Sequence, residues 1–192
     1  MRSRVRPAVL LAVAGLAALA LAGCGSEGDG TAAEAAAPAT TAPAPAATTT
    51  PPSGTERVEL TSGGEPRWYD RVVPSGYDGA PVPLVVDLHG YLSGAETQAV
   101  ISGFGDLGEQ EGIVVATPQG NSDLPYWNAV PHEDLPDDVA FVDAVIDDVA
   151  ATVCVDPDRV YVDGFSNGAF LASLVACELA DRVAAVATVA GL

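Results

Sequence analysis

The sequence predicts an α/β fold with a mostly parallel central sheet and flanking helices. Short apolar runs of strand length recur along the chain, several are continuously hydrophobic, and helical periodicity separates the later ones. Continuous hydrophobicity is typical of parallel strands, because helices cover both faces of such a sheet. We predict strands at residues 57–60, 67–73, 84–88, 113–118, 159–165 and 183–190.

Helices are predicted between the later strands. Residues 137–153 give the clearest pattern, since valines and a phenylalanine recur there at helical spacing. Asp137 and Asp138 stand at its start, where carboxylates cap free N–H groups and meet the positive end of the helix dipole. This capping role accounts for the acidic pair without catalysis. Residues 95–110 form a weaker helix, interrupted by three glycines, and a run of small residues at 169–180 forms another.

Ser166 is the candidate catalytic residue. It lies in a Gly-Phe-Ser-Asn-Gly segment at residues 164–168, between a predicted strand and a predicted helix. A sharp strand-to-helix corner that exposes a serine hydroxyl needs small residues on both sides, and this is where an esterase keeps its nucleophile. The alternative is a serine that only caps the following helix. The strand, turn and helix in the required order favour the nucleophile.

Backbone N–H groups near this corner are candidates for an oxyanion hole. The N–H of Asn167 would face the space where an acyl oxyanion forms. A second donor is expected from the loop after the strand at 84–88, from the N–H of Gly90 or Tyr91. For the side chain of His89 we favour a structural role in that loop over proton transfer.

Four sequence blocks together resemble a known family. They are Pro-Leu-Val-Val-Asp-Leu-His-Gly at 83–90, the acidic helix start at 137–144, the block around Ser166 at 158–169, and residues 175–187, where a valine replaces a more usual leucine. The chain from residue 67 onward resembles the secreted polyhydroxybutyrate depolymerase and feruloyl esterase-like branch of the α/β-hydrolases. The resemblance implies an α/β-hydrolase fold, a Ser-Asp-His triad and hydrolysis of short-chain polyesters or plant cell-wall hydroxycinnamoyl esters.

The chain departs from this family pattern after Ser166. In the fold, an acid and then a histidine follow the serine, but no histidine follows it here, and the acids Glu178 and Asp181 lie on or after the helix that leads away. His132, in a loop before the serine, is a poor substitute because nothing fixes its tautomer. We therefore expect an N-terminal part, truncated after the strand that follows the nucleophile helix, lacking about 100 residues and inactive alone. A non-catalytic surface lipoprotein derived from such an esterase is the alternative.

The first 54 residues predict export. Three arginines precede an unbroken apolar stretch and then Leu-Ala-Gly-Cys, so residues 1–23 are expected to be a lipoprotein signal peptide with Cys24 as the lipidated residue. Ordinary signal cleavage nearby is the alternative. Residues 24–54, rich in alanine, threonine and proline, are expected to be a disordered tether. Residues 55–192 would then be the catalytic part, on the outer face of the membrane or extracellular.

The charge balance limits the partners. The chain has 26 acidic and 8 basic residues and a net charge of −18, which argues against nucleic acid and leaves a lipid anchor as the expected membrane contact. Neither a metal site nor a phosphate-binding glycine loop is indicated, so we expect an ester substrate and no cofactor.

Two further pairs of residues remain open to two interpretations each. Cys154 and Cys177 are expected near the sheet end opposite Ser166, which favours a structural disulfide over two free thiols. Tyr126 and Trp127, like Tyr91, fall on loops at the carboxyl ends of strands, where ligands bind in open α/β sheets. They can stack on an aromatic acyl group or a sugar, or simply hold the loop.

Overall fold

The computed structural model describes residues 53–121, 123 and 125–191 of the chain. Cys24, the expected signal peptide and nearly all of the expected tether lie outside these residues. The elements of the described part are β1 (Gly54–Ser62), β2 (Glu65–Val73), β3 (Val82–Leu88), α1 (Ala95–Ser102), α2 (Phe104–Glu111), β4 (Val114–Pro118), α3 (Asp138–Thr152), β5 (Val155–Phe165), α4 (Asn167–Glu178) and β6 (Ala185–Val189).

One mixed sheet organises these elements. Its strand order is β1-β2-β4-β3-β5-β6, with β4, β3, β5 and β6 parallel to one another and the β1–β2 hairpin antiparallel at one side. The mostly parallel sheet with flanking helices is thus confirmed. Parallel strands bring their carboxyl ends to one edge of a sheet. The loops after β3 and β4 therefore meet the β5–α4 corner along the same rim.

The hairpin that begins the sheet has a two-residue turn at Gly63 and Gly64. Their φ angles are 60° and 83°, which suit the left-handed backbone that such tight hairpins need. Because this turn fixes the register, β1 pairs with β2 along its whole length. β1 is longer than the strand predicted at 57–60. Its paired length includes polar residues, which do not show in the hydrophobic pattern of the sequence.

The two faces of the sheet have different cores. Helices α3 and α4 pack on one face against a continuous aliphatic core, and α1 and α2 pack on the other. The first face buries Leu84, Val86, Leu88, Val160 and Val162 of the central strands, with Phe141, Val145, Val149, Leu171 and Val175 of the helices. This amphipathic packing supplies most of the apolar burial that holds the fold together.

The face covered by α1 has a polar centre. Asp87 of β3 is fully buried and accepts hydrogen bonds from Gln98 Nε2 at 2.6 Å and from Ser102 Oγ at 2.6 Å. Burial raises the pKa of Asp87 to about 6, although both hydrogen bonds favour its charged form. Asp163 lies beside it on β5, and burial raises the pKa of that carboxyl as well. Ionisation of Asp87 therefore opposes folding as the pH rises through 6.

The helices largely match the expectation from the sequence. Asp137 caps α3 by accepting a hydrogen bond from the Ala140 N–H at 2.9 Å, which confirms the capping role for this residue. The capping role is wrong for the Asp138 side chain, which pairs with Arg67 and accepts from the Asn128 N–H instead. The prediction of one helix at 95–110 is wrong in one respect. Two helices, α1 and α2, occupy this range, and they are divided at Gly103, whose φ of 66° ends the first helix.

Cys154 and Cys177 are free thiols in this structure, contrary to the favoured disulfide. Cys154 is half-buried just before β5, whereas Cys177 is exposed near the end of α4. Val175 is on the buried face of α4. Cys177 follows two residues later, which is more than half a turn around the helix. The side chain of Cys177 therefore points to solvent instead of toward the sheet.

Among the described residues, no helix combines the length and the apolar character needed to cross a membrane.

Candidate active site

Ser166 occupies a strained corner between β5 and α4. Its φ of 53° and ψ of −112° lie outside the regions that a residue with a side chain prefers. Neighbouring backbone holds the corner in place: the Ser166 N–H donates to the Val189 carbonyl of β6 at 2.8 Å, and the Ser166 carbonyl accepts from Ala169 and Phe170 of α4. The structure thus places the predicted nucleophile at the carboxyl edge of the sheet.

The two glycines around Ser166 are needed because backbone packs directly on them. A Cβ atom at Gly164 would overlap the carbonyl of Gly168 and come within 2.7 Å of the Ala169 nitrogen. A Cβ atom at Gly168 would overlap the Leu88 carbonyl and lie 2.6 Å from the His89 oxygen. The start of α4 therefore lies in backbone contact with the end of β3. Residues with side chains would force these elements apart.

The loop after β3 brings candidate oxyanion donors next to the corner. Gly90 sits against Phe165, the residue before the nucleophile, so closely that a Cβ atom there would lie 2.9 Å from the Phe165 ring. Within the described part of the chain, the N–H groups of Gly90, Tyr91 and Asn167 have no hydrogen-bond acceptor. An oxyanion hole requires unpaired N–H groups, and these three groups meet that requirement.

His89 has both ring nitrogens occupied. Nε2 lies 2.8 Å from the Gly120 nitrogen and accepts its proton, so Nδ1 carries the ring hydrogen and donates it to the Gly90 carbonyl at 2.8 Å. Burial lowers the pKa of His89 and keeps the imidazole neutral. The geometry fits the structural role favoured from the sequence, because His89 ties the loop after β3 to the loop after β4.

Trp127 is buried in this structure, which favours the alternative in which it holds the loop over the one in which it contacts substrate. Only 2% of its surface is exposed. Its indole N–H donates to the His89 carbonyl at 2.7 Å, and its ring packs on the imidazole at a centroid distance of 4.5 Å. Tyr126 is half-buried, with its ring 6.1 Å from that of Tyr91, which is 62% exposed. Of the predicted aromatic contacts, Tyr91 and Tyr126 keep solvent-facing surface.

The Asn167 side chain connects Trp127 to the candidate nucleophile corner. Its Oδ1 accepts from the Trp127 N–H at 2.7 Å and its Nδ2 donates to the Trp127 carbonyl at 3.2 Å. Trp127 in turn binds His89, as described above. Both sides of the candidate oxyanion hole are thus joined through one tryptophan. The sequence indicated only the backbone role of Asn167.

A buried ion pair anchors the loop that carries Trp127. Arg67 of β2 and Asp138 of α3 pair at 2.8 Å with side chains 3% and 2% exposed, and the Arg67 guanidinium lies 3.8 Å from the centroid of the Phe141 ring. Asp138 also accepts from the Asn128 N–H at 2.7 Å. Asn128 in turn binds the carbonyls of His132 and Pro136. Nothing local in the sequence indicated these partners, because Arg67 and Asp138 are 71 residues apart.

His132 lies away from the corner. It shares a cavity of 330 Å³ with Leu174 and Glu178. Leu174 and Glu178 lie in the second half of α4. The rise per residue of an α-helix puts them about 12 to 18 Å from Ser166 along the helix axis. His132 is largely exposed, and its Nδ1 lies 3.7 Å from Asp134. No described side chain hydrogen-bonds to the Ser166 hydroxyl. The described residues therefore bring together the candidate nucleophile and the candidate oxyanion donors.

Comparison with known proteins connects this geometry to esterases. The chain is 36% identical over 144 residues to NocK of Nocardia uniformis subsp. tsuyamanensis, which is assigned to the esterases; the match covers 71% of this chain and 41% of that protein. Feruloyl esterase B of Piromyces equi is 32% identical over 59% of this chain and 22% of its own length. Poly(3-hydroxyalkanoate) depolymerase C of Paucimonas lemoignei is 34% identical over 62% of this chain and 30% of its own length. The chain thus spans less than half the length of each relative.

Solved structures show the same fold. The acetyl xylan esterase from Aspergillus awamori superposes with a TM-score of 0.58 at 18% identity, covering 70% of this chain and 53% of that one. An S-formylglutathione hydrolase from Agrobacterium tumefaciens gives a TM-score of 0.56 at 15% identity, covering 71% and 57%. No protein-family model matches the chain. The described residues have the α/β-hydrolase fold that the resemblance implied.

Proposed function

We propose that this chain carries the nucleophile and oxyanion hole of an exported serine carboxylic ester hydrolase, of the polyhydroxybutyrate depolymerase or feruloyl esterase kind. The observation that carries the proposal is the strained Ser166 corner, with unpaired N–H groups of Gly90, Tyr91 and Asn167 beside it. The esterase names of the relatives support the same reaction class.

The chemistry follows from this arrangement. Ser166 Oγ attacks the ester carbonyl carbon, and the carbonyl oxygen becomes an oxyanion that accepts hydrogen bonds from the loop and helix N–H groups. The bond to the alcohol then breaks, the alcohol leaves with a proton, and the acyl group stays on Ser166. Water then attacks the acyl carbon, the bond to Ser166 Oγ breaks, the carboxylic acid leaves and the serine hydroxyl regains its proton.

Proton transfer in both steps needs a general base that faces the Ser166 hydroxyl. A triad histidine and acid beyond residue 192 are predicted from the sequence, and this stays a prediction, as does inactivity of residues 55–192 alone. We also propose export as a lipoprotein anchored through Cys24. That proposal rests on the basic, apolar and small-residue segments before this cysteine.

Ester hydrolysis by the protein purified from the producing cell tests the proposal. We expect Ser166→Ala to lower the hydrolysis of p-nitrophenyl acetate by about 10³-fold or more, because the residue supplies the attacking atom. Ser173→Ala is the matched control, since that hydroxyl lies on the same helix and donates to the Ala169 carbonyl at 3.0 Å. Equal hydrolysis by the two variants would reject Ser166 as the nucleophile. A purified protein that hydrolyses no ester would instead favour the non-catalytic alternative.

A further inference from the structure

A cavity of 530 Å³ opens on the same rim of the sheet as Ser166, beside the loops after β3 and β4. Its size falls within the range of about 300 to 1,000 Å³ that small-molecule sites occupy. Its wall combines the Trp68 ring and three apolar residues, Pro66, Leu92 and Pro125, with a larger set of polar and charged side chains: Arg67, Ser93, Glu96, Thr97, Gln119 and Asn121. Sites for apolar ligands are lined mainly by aliphatic and aromatic groups. This wall therefore suits a ligand rich in hydroxyl groups.

Arg57 packs on the aromatic part of the wall. Its guanidinium stacks 3.6 Å from the centroid of the Trp68 ring. The same guanidinium pairs with Asp70 at 2.9 Å and with Glu96 at 3.0 Å. One arginine thus fixes both an aromatic ring and a carboxylate at the cavity. A wall that is ordered before binding loses less entropy when a ligand arrives.

Polar groups at the cavity are available to a neutral ligand. Among the described residues, the hydroxyls of Ser93 and Thr97 have no hydrogen-bond partner within the protein. Gln119, by contrast, is fixed by accepting from the Ala95 N–H at 2.9 Å. The two arginines near the cavity, Arg57 and Arg67, are each paired with carboxylates. No excess positive charge therefore selects an anion here.

The position of the cavity relates it to the proposed reaction. Ser166 follows β5, whereas the cavity lies at the carboxyl end of β4 and the amino end of β2. Neighbouring strands are about 4.8 Å apart, so the cavity lies roughly 10 to 14 Å from Ser166 along the rim.

We propose that this cavity binds the neutral carbohydrate chain that carries the ester cleaved at Ser166. The aromatic ring of Trp68 suits the C–H face of a pyranose, and the hydroxyl, amide and carboxylate groups suit its hydroxyls. An aliphatic polyester would instead need a mainly apolar wall. The inference depends on the proposed esterase function for its link to catalysis, but the binding itself is measurable without hydrolysis.

Calorimetric titration of the full-length protein carrying Ser166→Ala tests the site, with xylohexaose and the linear trimer of 3-hydroxybutyrate as probes. Thr97→Trp fills the cavity from an exposed position on α1, and Val100→Trp is the matched control, because Val100 is 83% exposed on the same helix and does not line the cavity. We expect xylohexaose to bind, Thr97→Trp to raise its Kd about tenfold or more, and Val100→Trp to leave the Kd unchanged.

Tryptophan fluorescence gives a second readout. The chain has two tryptophans, and Trp127 is buried, so a change in emission on adding xylohexaose should come from Trp68. The conservative Trp68→Phe variant should abolish that change. Absence of xylohexaose binding, equal Kd values for the two helix variants, or tighter binding of the hydroxybutyrate trimer would each overturn the inference. Because Ser166 is absent from this assay, failure of the esterase proposal would show only in the hydrolysis experiment.

Discussion

The corner at Ser166 and the loop segment that carries Trp127 and Asn128 are in contact at the candidate site but are held by different forces. At the corner, backbone packs on backbone, and glycines at 164 and 168 leave no space for a side chain. The loop is instead held by side-chain acceptors, because the N–H groups of Trp127 and Asn128 donate to the side chains of Asn167 and Asp138. Steric exclusion therefore fixes one half of the site, and satisfied polar groups fix the other.

The largest expected effect comes from a substitution that disrupts the backbone packing at the corner. Gly168→Ala places a methyl group against the carbonyls of Leu88 and His89, and backbone cannot move aside as a flexible side chain can. We expect it to lower the free energy of unfolding by more than about 4 kcal/mol, measured by urea denaturation. Gly76→Ala is the control, because nothing lies within 4 Å of its added Cβ. Similar losses in the two variants would contradict steric exclusion as the cause.

The next largest effect is expected from removing the buried ion pair that anchors the loop. Arg67→Met removes the partner of a buried carboxylate, so we expect a loss of about 3 to 5 kcal/mol in the free energy of unfolding. Adding Asp138→Asn removes the stranded charge and should restore part of that loss. Thermal or urea denaturation of the single and double variants measures both changes. If the second substitution adds its own full loss, the two residues do not act as a pair.

A smaller effect is expected when the hydrogen bonds between the corner and the loop are removed while both parts stay folded. Asn167→Ala deletes both hydrogen bonds to Trp127 and leaves the Asn167 N–H in place. We expect a loss of about 2 kcal/mol, because the Trp127 N–H and carbonyl lose their partners. Asn167→Asp keeps the acceptor for the Trp127 N–H, so its loss should be intermediate. Urea denaturation that ranks the two variants equally would show that the acceptor contributes nothing.

The free energy of unfolding is expected to depend on pH through Asp87 of β3, the strand that leads to the candidate oxyanion loop. Burial raises the pKa of Asp87 to about 6, so its contribution to stability is complete below its unfolded pKa of 3.8 and is lost as the pH rises through 6. Asp87→Asn cannot ionise. From pH 5 to pH 8, the parent should lose about 1 to 2 kcal/mol more than the variant. Parallel stability curves would show that Asp87 does not titrate as described.

The smallest expected effect concerns the cysteines, which lie outside both halves of the site. Cys177 is exposed and unbonded, so Cys177→Ser should change the free energy of unfolding by less than about 0.5 kcal/mol. Alkylation of the unfolded protein without reductant should modify both Cys154 and Cys177. A disulfide-linked peptide in the mass map, together with a large loss in the variant, would restore the bond that the sequence favoured.

The sequence predicted the corner better than the loop for a physical reason. The strand, glycines, serine and helix are contiguous, so local spacing indicated both the position of Ser166 and the backbone role of Asn167. The loop depends on pairs distant in sequence: Trp127 binds Asn167 and His89 at separations of 40 and 38 residues. A tryptophan on a predicted rim loop gives the same local pattern whether it is buried or exposed, so its structural role required the fold.

Covalent labelling of Ser166 tests the central claim most directly. The protein purified from the producing cell is treated with a fluorophosphonate, digested and mapped by mass spectrometry, alongside Ser166→Ala and Ser173→Ala. We predict one phosphonylated site on the peptide that contains Ser166, absent from Ser166→Ala and retained in Ser173→Ala. A label that persists in Ser166→Ala, or that maps to another residue, would contradict the assignment of this corner as the nucleophile site.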